Sequence, residues 1–380
     1  MLKNSIRIAR IGGISINIHV SWFLIFILIT WTLAVSYFPQ SYPEWPFPLY
    51  WTVGLVTSIL FFVSVLVHEL AHSFVANARG LPVHDITLFI LGGVAQLSEE
   101  PQTPGTEFVM AVVGPLASIV LGVCFGAVWF AARGVIPPLA ALAGYLALIN
   151  VLLGFFNLIP GFPLDGGRVL RSILWQATGN LQRATRWASL VGQVVAYLFI
   201  LAGIAMVFGV HIPFLGTGLV SGLWFVFIGW FLDNAASSSY RQLTVKNLLA
   251  GHRVREVMSR DCPEVSPGLT IERLVNEYVL PAGARCFPVL EGGLVRGLLT
   301  IHNIKGVPQG RWGTTTVEQV MTPLDGLKRV GPDEELWAAM QNMTADGVNQ
   351  LPVMDDGQLL GMLGRDNIVS FIRIKGELGI

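Results

Sequence analysis

The chain has 380 residues, of which 53% are hydrophobic and 13% are charged, and its mean hydropathy is +0.62. Soluble domains carry about 25% charged residues, so this composition excludes an ordinary soluble protein and indicates a membrane protein. The 24 basic and 24 acidic residues balance, so the totals predict no nucleic-acid partner. Cys124, Cys262 and Cys286 show no paired spacing, so neither a disulfide framework nor a zinc ribbon is expected.

The first segment of the chain reads as a β-hairpin. Residues 5–20, SIRIARIGGISINIHV, alternate apolar and polar side chains on both sides of a Gly-Gly pair. Residues 84–98, HDITLFILGGVAQLS, are also strand-like and contain a second Gly-Gly pair. Two interpretations stay open for these segments beside the membrane. They pair into a small sheet at the mouth of a site, or they are separate amphipathic surface strands.

Six apolar runs are long enough to cross about 30 Å of hydrocarbon. They lie near residues 20–38, 51–79, 105–132, 139–160, 187–210 and 217–233. The first run is too long for a typical signal-peptide core and has no convincing cleavage site, so we expect it to be retained as a transmembrane helix.

Basic residues near the ends of these runs predict the orientation. The loops on one side of the predicted membrane carry ten basic residues, whereas those on the other side carry only Arg133. The ten are Lys3, Arg7, Arg10, Arg79, Arg168, Arg171, Arg183, Arg186, Arg241 and Lys246. The basic side is expected to be cytoplasmic, and an even number of spans places both termini there. The sequence therefore predicts a multi-pass protein of the plasma membrane with a cytoplasmic soluble part.

After Asn234 the composition shifts to charges, turns and short strand-like segments. We predict a membrane domain (1–240), a linker (241–252) and two soluble repeats (253–310 and 315–376). The segment CFPVLEGGLVRGLLTIHNI, for example, is echoed by QLPVMDDGQLLGMLGRDNI. Each repeat reads strand, helix, strand, hairpin turn, strand, helix. The predicted fold is a polytopic α-helical membrane protein with six transmembrane helices and small β segments, followed by a soluble α/β pair of repeats.

Residues 65–74, VLVHELAHSF, place three ionisable groups inside the second apolar run. Such groups are expensive in a membrane, so they are candidates for a functional site. His68 and His72 are four residues apart and face the same side of a helix, where two imidazoles can bind one zinc ion. With Glu69 they form the H-E-x-x-H pattern, whose glutamate acts as a general base on zinc-bound water. A chance match would have to explain three buried ionisable groups together.

A catalytic zinc takes three protein ligands and leaves one position open. Asp165 is the candidate for the third ligand. It lies in NLIPGFPLDGGR, residues 157–168, where prolines and glycines break the helix and can fold a side chain into a protein-lined cavity. The alternative is that Asp165 caps a following helix. We favour the ligand because the two histidines require a third partner.

HELAH in a transmembrane helix, together with NLIPGFPLDGG near a later one, resembles the site-2 protease family of intramembrane zinc metalloproteases (peptidase family M50). GGVAQL and the GPLAS segment (114–118) resemble accessory motifs of that family, and the likeness covers about the first 235 residues. The resemblance implies that one zinc ion is held by His68, His72 and Asp165, with Glu69 as the general base.

The same resemblance implies a substrate, and the strand-like segment suggests a way to bind it. Asn157 would orient the substrate or stabilise the oxyanion, although it could instead satisfy a broken helix end. The substrate would be the membrane segment of a single-span protein, cleaved in regulated intramembrane proteolysis. Because a helix hides its amides, it must unwind, and Gly92, Gly93 and Val94 of the second strand segment are expected to capture it by strand addition.

The two soluble repeats resemble cystathionine-β-synthase (CBS) domains, pairs of which often bind adenine nucleotides and commonly dimerise. The nucleotide pattern G-h-h-T-x-x-D reads GLLTIHN in the first repeat, with Thr300 kept and Asn303 replacing Asp. The second repeat reads GMLGRDN, with Gly364 for Thr and Asn367 for Asp. Nucleotide binding at Thr300 and Asn303, and a purely structural or dimerising role, both stay open.

The expected function is therefore an intramembrane zinc endopeptidase modulated by its CBS pair. Two alternatives belong to other classes, a CBS-regulated transporter or channel and a catalytically silent scaffold. We see no inverted sequence repeat of the kind that many transporters carry, and the intact Glu69 argues against a silent scaffold.

Overall fold

A computed structural model describes residues 5–90, 92–97, 100–213, 216–260, 262–356 and 358–378. Lys3 and Ser98, which were used in the sequence predictions, lie outside these ranges. The contacts divide the chain into two compact units, Met1–Gln242 and Leu243–Ile380.

The first unit contains the membrane helices. Among the residues described, six helices are long and apolar enough to cross a membrane: α1 (Val20–Ser41), α2 (Phe47–Ala78), α3 (Pro104–Ala132), α4 (Pro137–Asn157), α6 (Leu181–Val207) and α7 (Leu219–Leu249). The short helix α5 (Asp165–Thr178) lies between α4 and α6. The prediction of six spans is confirmed.

Helix α7 does not end near residue 233, as the apolar run predicted, but continues to Leu249. Residues 234–249 contain neither glycine nor proline, so the backbone stays helical after the composition has become polar. The predicted linker, 241–252, is therefore helical as far as Leu249.

The two strand-like segments form one sheet. Its strands are β1 (Ser5–Ile11), β2 (Ile14–His19), β3 (Val83–Phe89) and β4 (Gly92–Leu97), in that order across the sheet. Two antiparallel hairpins are joined by parallel pairing of β2 with β3. Ile14, Ile16 and Ile86 are fully buried and pack in one core with Leu70 of α2. The paired-sheet interpretation is confirmed, and β4 lies at an edge of the sheet.

The chain reverses between α4 and α5 because glycines allow very close backbone approach. A side chain on Gly166 would overlap the backbone carbonyl groups of Leu158 and Ile159, and one on Gly167 would overlap the backbone of Gly161. Helix α5 therefore folds tightly against the segment that follows α4. This is the broken helix that the glycines and prolines predicted.

The second unit is built from short helices and two small sheets. Its helices are α8 (Val254–Val257), α9 (Ile271–Leu274), α10 (Leu280–Ala282), α11 (Ile301–Lys305), α12 (Val317–Val320), α13 (Leu336–Ala345) and α14 (Arg365–Leu378). One sheet contains β5 (Cys286–Glu291), β6 (Leu294–Thr300) and β7 (Thr322–Pro323), and the other contains β8 (Gln350–Asp355) and β9 (Gln358–Gly364).

The two repeats of this unit exchange their first elements. Strand β7 begins the second repeat but pairs with β6 of the first. Ser259 of the first repeat pairs with Met362 of the second. The cores follow the same exchange, since Val254 packs with the second repeat and Val317 packs with the first. Neither repeat therefore completes its core from its own residues.

Candidate metal centre and substrate cavity

Three side chains from two helices converge on one point. His68 and His72 lie one turn apart on α2, and Asp165 is the first residue of α5. Asp165 Oδ2 lies 3.1 Å from His68 Nε2 and 3.2 Å from His72 Nε2, and the two Nε2 atoms are 3.2 Å apart. Ligands of a tetrahedral zinc bonded at about 2.0–2.2 Å lie roughly 3.3–3.6 Å from one another, so a small outward movement of the three atoms gives the spacing of a zinc site.

The outer nitrogens of both imidazoles are already occupied. His68 Nδ1 lies 2.9 Å from Ser118 Oγ, and His72 Nδ1 lies 2.6 Å from the carbonyl oxygen of Met110. A carbonyl can only accept, so His72 Nδ1 carries the proton and a neutral ring turns the lone pair of Nε2 towards Asp165. Two lone pairs facing each other repel unless a cation lies between them. The donor set therefore fits a divalent metal ion.

The carboxyl group of Asp165 is held in its ionised form. Burial raises the pKa of Asp165, but protonated His68 and His72 rings that donate to its carboxylate lower that pKa by more, so with both rings charged it lies well below its ordinary value of 3.8. The N-cap residue of α5 is Leu164, and the Asp165 carboxylate bonds the imidazoles. Asp165 is thus not the helix cap that the alternative interpretation proposed.

Two glycines lie directly against the charged side chains. A Cβ atom on Gly93 of β4 would lie 2.5 Å from Glu69 Cγ, so the strand passes immediately beside this carboxylate. A Cβ atom on Gly114 of α3 would overlap the imidazole ring of His72. Neither site has room for any residue larger than glycine without displacing the side chain that the chemistry needs.

These groups open into a cavity of about 600 Å³. All of the predicted membrane-site residues line it: His68, Glu69, His72, Gly92, Gly93, Val94, Asn157 and Asp165. Asn157 is the last residue of α4, and its side chain hydrogen-bonds to no other described residue. The rest of the wall is mostly apolar and includes Phe61 and Phe62 of α2 and Trp224 and Phe231 of α7. The cavity can hold an apolar segment beside a polar reaction centre.

Sequence similarity to known proteins identifies the family of this chain. The sequence profile of Peptidase family M50 matches residues 56–139 and 134–202, and that of the CBS domain matches residues 254–309 and 317–374. The Mycobacterium tuberculosis protein named "Putative zinc metalloprotease Rip3" is 34% identical over 378 residues, which are 98% of this chain and 94% of that protein. The chain belongs to peptidase family M50.

Two further relatives of this M50 protein come from Methanocaldococcus jannaschii. Zinc metalloprotease MJ0392 is 28% identical over 387 residues, covering 99% of each chain. A solved structure titled "Site-2 Protease from Methanocaldococcus jannaschii" is 29% identical, covers 62% of this chain and 95% of that one, and superposes with a TM-score of 0.42. The predicted family, a site-2-protease-type zinc metalloprotease with a CBS pair, is confirmed.

The structure of the M50 unit adds charged residues that the motifs did not single out as site residues. Glu107 is fully buried in the first turn of α3, and its Oε1 accepts hydrogen bonds from Nε of Arg171, at 2.6 Å, and from Nη2. Arg168 lines the cavity, with its Nε 3.8 Å from the same oxygen. Glu107 is the one charged residue in the run 105–132, and this was the signal available in the sequence.

The residues predicted for nucleotide binding satisfy one another. Thr300 is the N-cap of α11, and its hydroxyl donates to Asn303 Oδ1 at 2.6 Å. The same Oδ1 accepts the backbone N–H of Thr300 at 3.0 Å, and in the second repeat Asn367 Oδ1 accepts from Gly364 N at 2.9 Å. Both asparagines therefore act as helix-capping groups in this structure.

Proposed function

We propose that this M50 protein is an intramembrane zinc endopeptidase that cleaves the membrane segments of single-span proteins. In this proposal His68, His72 and Asp165 hold one zinc ion, and Glu69 is the general base. The convergence of three possible metal ligands beside Glu69, in a mostly apolar cavity lined largely by membrane helices, is the observation that supports it.

The chemistry of the proposal divides between the ion and the chain. When bound, zinc lowers the pKa of a water molecule towards about 7 and polarises a peptide carbonyl. Glu69 takes a proton from the attacking water, whose oxygen adds to the carbonyl carbon, and delivers that proton to the leaving nitrogen as the C–N bond breaks. Asn157, whose amide group faces the cavity without another described partner, donates to the carbonyl oxygen of the substrate. The apolar walls exclude bulk water and bind the flanking side chains.

Glu69→Gln tests the assignment. Purified wild type and the variant are compared on a panel of single-span membrane substrates in detergent, with the zinc content of each preparation measured. Glutamine keeps the shape of the side chain but cannot accept the proton, so zinc in both proteins and cleavage by wild type alone is the expected result. A transporter or a scaffold would be indifferent to this change. Full cleavage by the variant would contradict the role of Glu69.

We further propose that the unwound substrate joins the sheet at β4. The strand lies at the edge of the sheet, and Gly92, Gly93 and Val94 line the cavity next to Glu69. Neighbouring residues of a strand point their backbone N–H groups in opposite directions. Of the two variants Val94→Pro and Ala95→Pro, one therefore removes an N–H group that points away from β3, towards a bound substrate strand. The other removes an N–H group that faces β3, and it disturbs the pairing of β4 with β3. The outward variant should lose cleavage while keeping its zinc and its melting temperature. Unchanged cleavage in both would refute strand addition.

The CBS pair is proposed to modulate the protease. Helix α7 carries Trp224 and Phe231 of the cavity wall, and its last residue, Leu249, is fully buried in the core of the second repeat. A change in that core therefore acts on a helix that also lines the cavity. Titration of the purified chain with AMP and ATP, with cleavage rate and molecular mass as readouts, tests for an effect of nucleotide and for a CBS-mediated homodimer. A rate that neither nucleotide changes would contradict nucleotide control.

The orientation is also a proposal. The excess of basic residues on one side supports a plasma-membrane protein with both termini and the CBS pair in the cytoplasm. Reporter domains fused at either end should be active only when the reporter requires the cytoplasm. A reporter that requires the outside and is active at either terminus would reverse the orientation.

A further inference from the structure

Helix α5 presents two arginines with very different surroundings. Arg168 and Arg171 follow Asp165 at intervals of three residues, so all three side chains lie on neighbouring positions of the helix surface. Arg171 is buried, makes two hydrogen bonds to Glu107 and lies over the ring of Phe162 at 5.1 Å. Its charge is neutralised by a carboxylate, and two of its N–H donors are used in that pair. Arg171 therefore supports the fold of this region.

Arg168 has no comparable partner. Its ion pair with Glu107 is a loose contact of 3.8 Å to an oxygen that already accepts twice from Arg171. Within the described part of the chain its guanidinium makes no hydrogen bond, although a guanidinium has five N–H donors. The side chain is 22% exposed and lines the reaction cavity. A cation in an apolar wall with unused donors is suited to bind an anion.

The charges around the reaction centre point the same way. With zinc bound, the ion and the two arginines carry four positive charges, against three negative charges on Glu69, Glu107 and Asp165. Arg168 and Glu69 line the same cavity. During hydrolysis, negative charge develops on the oxygens of the scissile carbonyl group. Arg168 is the neighbouring cation that can pair with this negative charge.

We propose that Arg168 forms an anion subsite that binds the carboxylate created at the new C-terminus of the cleaved substrate. The proposal rests on the protease function proposed above and goes beyond it, because it assigns a product-binding role to a residue outside the metal ligands and the base. Arg168 would hold the same oxygens as they gain charge during hydrolysis. Its guanidinium geometry matches a carboxylate, which it can bind through two parallel hydrogen bonds.

The test uses one apolar pentapeptide, N-acetylated and made either with a C-terminal carboxylate or with a C-terminal carboxamide. Binding of both probes to the zinc-loaded full chain in detergent is measured directly, and the ratio of the two affinities is the readout. Wild type should prefer the carboxylate. Arg168→Gln should reduce this preference about tenfold or more, as expected for loss of charged hydrogen bonds, and Arg168→Lys should retain part of it.

Arg171→Gln is the matched control, because it removes an arginine from the same helix that is already paired. It should lower the melting temperature and leave the preference for carboxylate unchanged. Three results would overturn the proposal: an unchanged preference in Arg168→Gln, an equal loss in Arg171→Gln, or loss of zinc from Arg168→Gln, which would make Arg168 a support for Asp165. Absence of cleavage by a wild type that still prefers the carboxylate would refute the protease function and leave the subsite standing.

Discussion

Two clusters of polar side chains in this protein were predicted to bind a ligand, and they are built in opposite ways. In the membrane unit, His68 Nε2, His72 Nε2 and Asp165 Oδ2 lie within 3.2 Å of one another, with the His72 lone pair facing the carboxylate, while Ser118 and the Met110 carbonyl occupy the outer nitrogens. In the CBS unit, Thr300 and Asn303 pair donor with acceptor and close a helix cap. The first cluster is electrostatically incomplete without a cation, and the second is complete as it stands.

The difference shows how a ligand site can be told from a structural motif. Buried hydrogen-bond acceptors that face one another cost free energy until a ligand binds between them. Buried groups that pair a donor with an acceptor stabilise the fold without a ligand. Removing a member of the first cluster should therefore change metal binding. Removing a member of the second should change stability.

The largest effect is expected for Asp165→Asn. The substitution removes the only negative charge among the three proposed ligands, so zinc affinity should fall more than about hundredfold and cleavage should become undetectable. Zinc content of the purified chain and competition with a chelator measure this. Asp85→Asn is the control, because Asp85 lies on β3 outside the cavity lining and accepts from Asn17. A variant that keeps stoichiometric zinc would break the distinction drawn between the clusters.

Gly114→Ala should have the next largest effect. The added methyl group overlaps the His72 ring and must displace it, so zinc affinity should drop at least about tenfold, as for loss of a supporting contact. Gly126→Ala on the same helix is the control, since its nearest neighbour would be Ala147 Cβ at 4.0 Å. Equal zinc affinities for the two variants would show that His72 does not depend on this close packing.

Ser118→Ala should reduce zinc affinity by about tenfold, because partners of the outer imidazole nitrogen orient the ligand and are worth roughly 10–100-fold. The cavity itself stays intact, so the affinity for apolar peptides should not change. Ser58→Ala is a matched control, because the buried Ser58 hydroxyl donates only to Gly54 of its own helix at 2.9 Å. The same loss in both variants would point to general destabilisation of the helices.

Thr300→Ala should have the smallest effect and a different one. Loss of the cap should lower the free energy of unfolding by about 1 kcal/mol, with zinc content and cleavage unchanged. Thermal unfolding measures the loss, and Thr314→Ala, which removes an exposed hydroxyl that donates to Arg311 O, is the reference. If the wild type bound AMP and Thr300→Ala abolished that binding without changing stability, the CBS cluster would be a ligand site.

Much of the membrane site could be predicted because local sequence fixes it. The helical spacing of His68 and His72 places both rings on one face, and the glycines and prolines around Asp165 require a chain reversal. The partners of the outer nitrogens could not be predicted, since Ser118 and Met110 belong to another helix, and their position depends on how closely Gly114 lets it approach. The pairing of Glu107 with Arg171 likewise depends on packing between α3 and α5.

The organisation of the CBS unit was predictable only in part. The repeated motifs identify two copies of strands and helices, but an internal repeat does not show which copy completes which core. The exchange seen for Val254 and Val317 depends on tertiary pairing. The end of α7 was also missed, because apolar composition reports membrane depth, whereas helix continuation depends on the absence of glycine and proline.

The exchanged CBS repeats have a consequence for synthesis. Leu249, Val254 and Val257 are made early, but their packing partners Leu336, Leu351 and Leu363 emerge from the ribosome about a hundred residues later. Until then these side chains stay exposed. A polypeptide that stops short of the second repeat cannot bury these side chains. It therefore exposes an apolar surface of the kind that chaperones and quality-control proteases recognise. The arrangement therefore makes the fate of the membrane unit depend on complete translation of the chain.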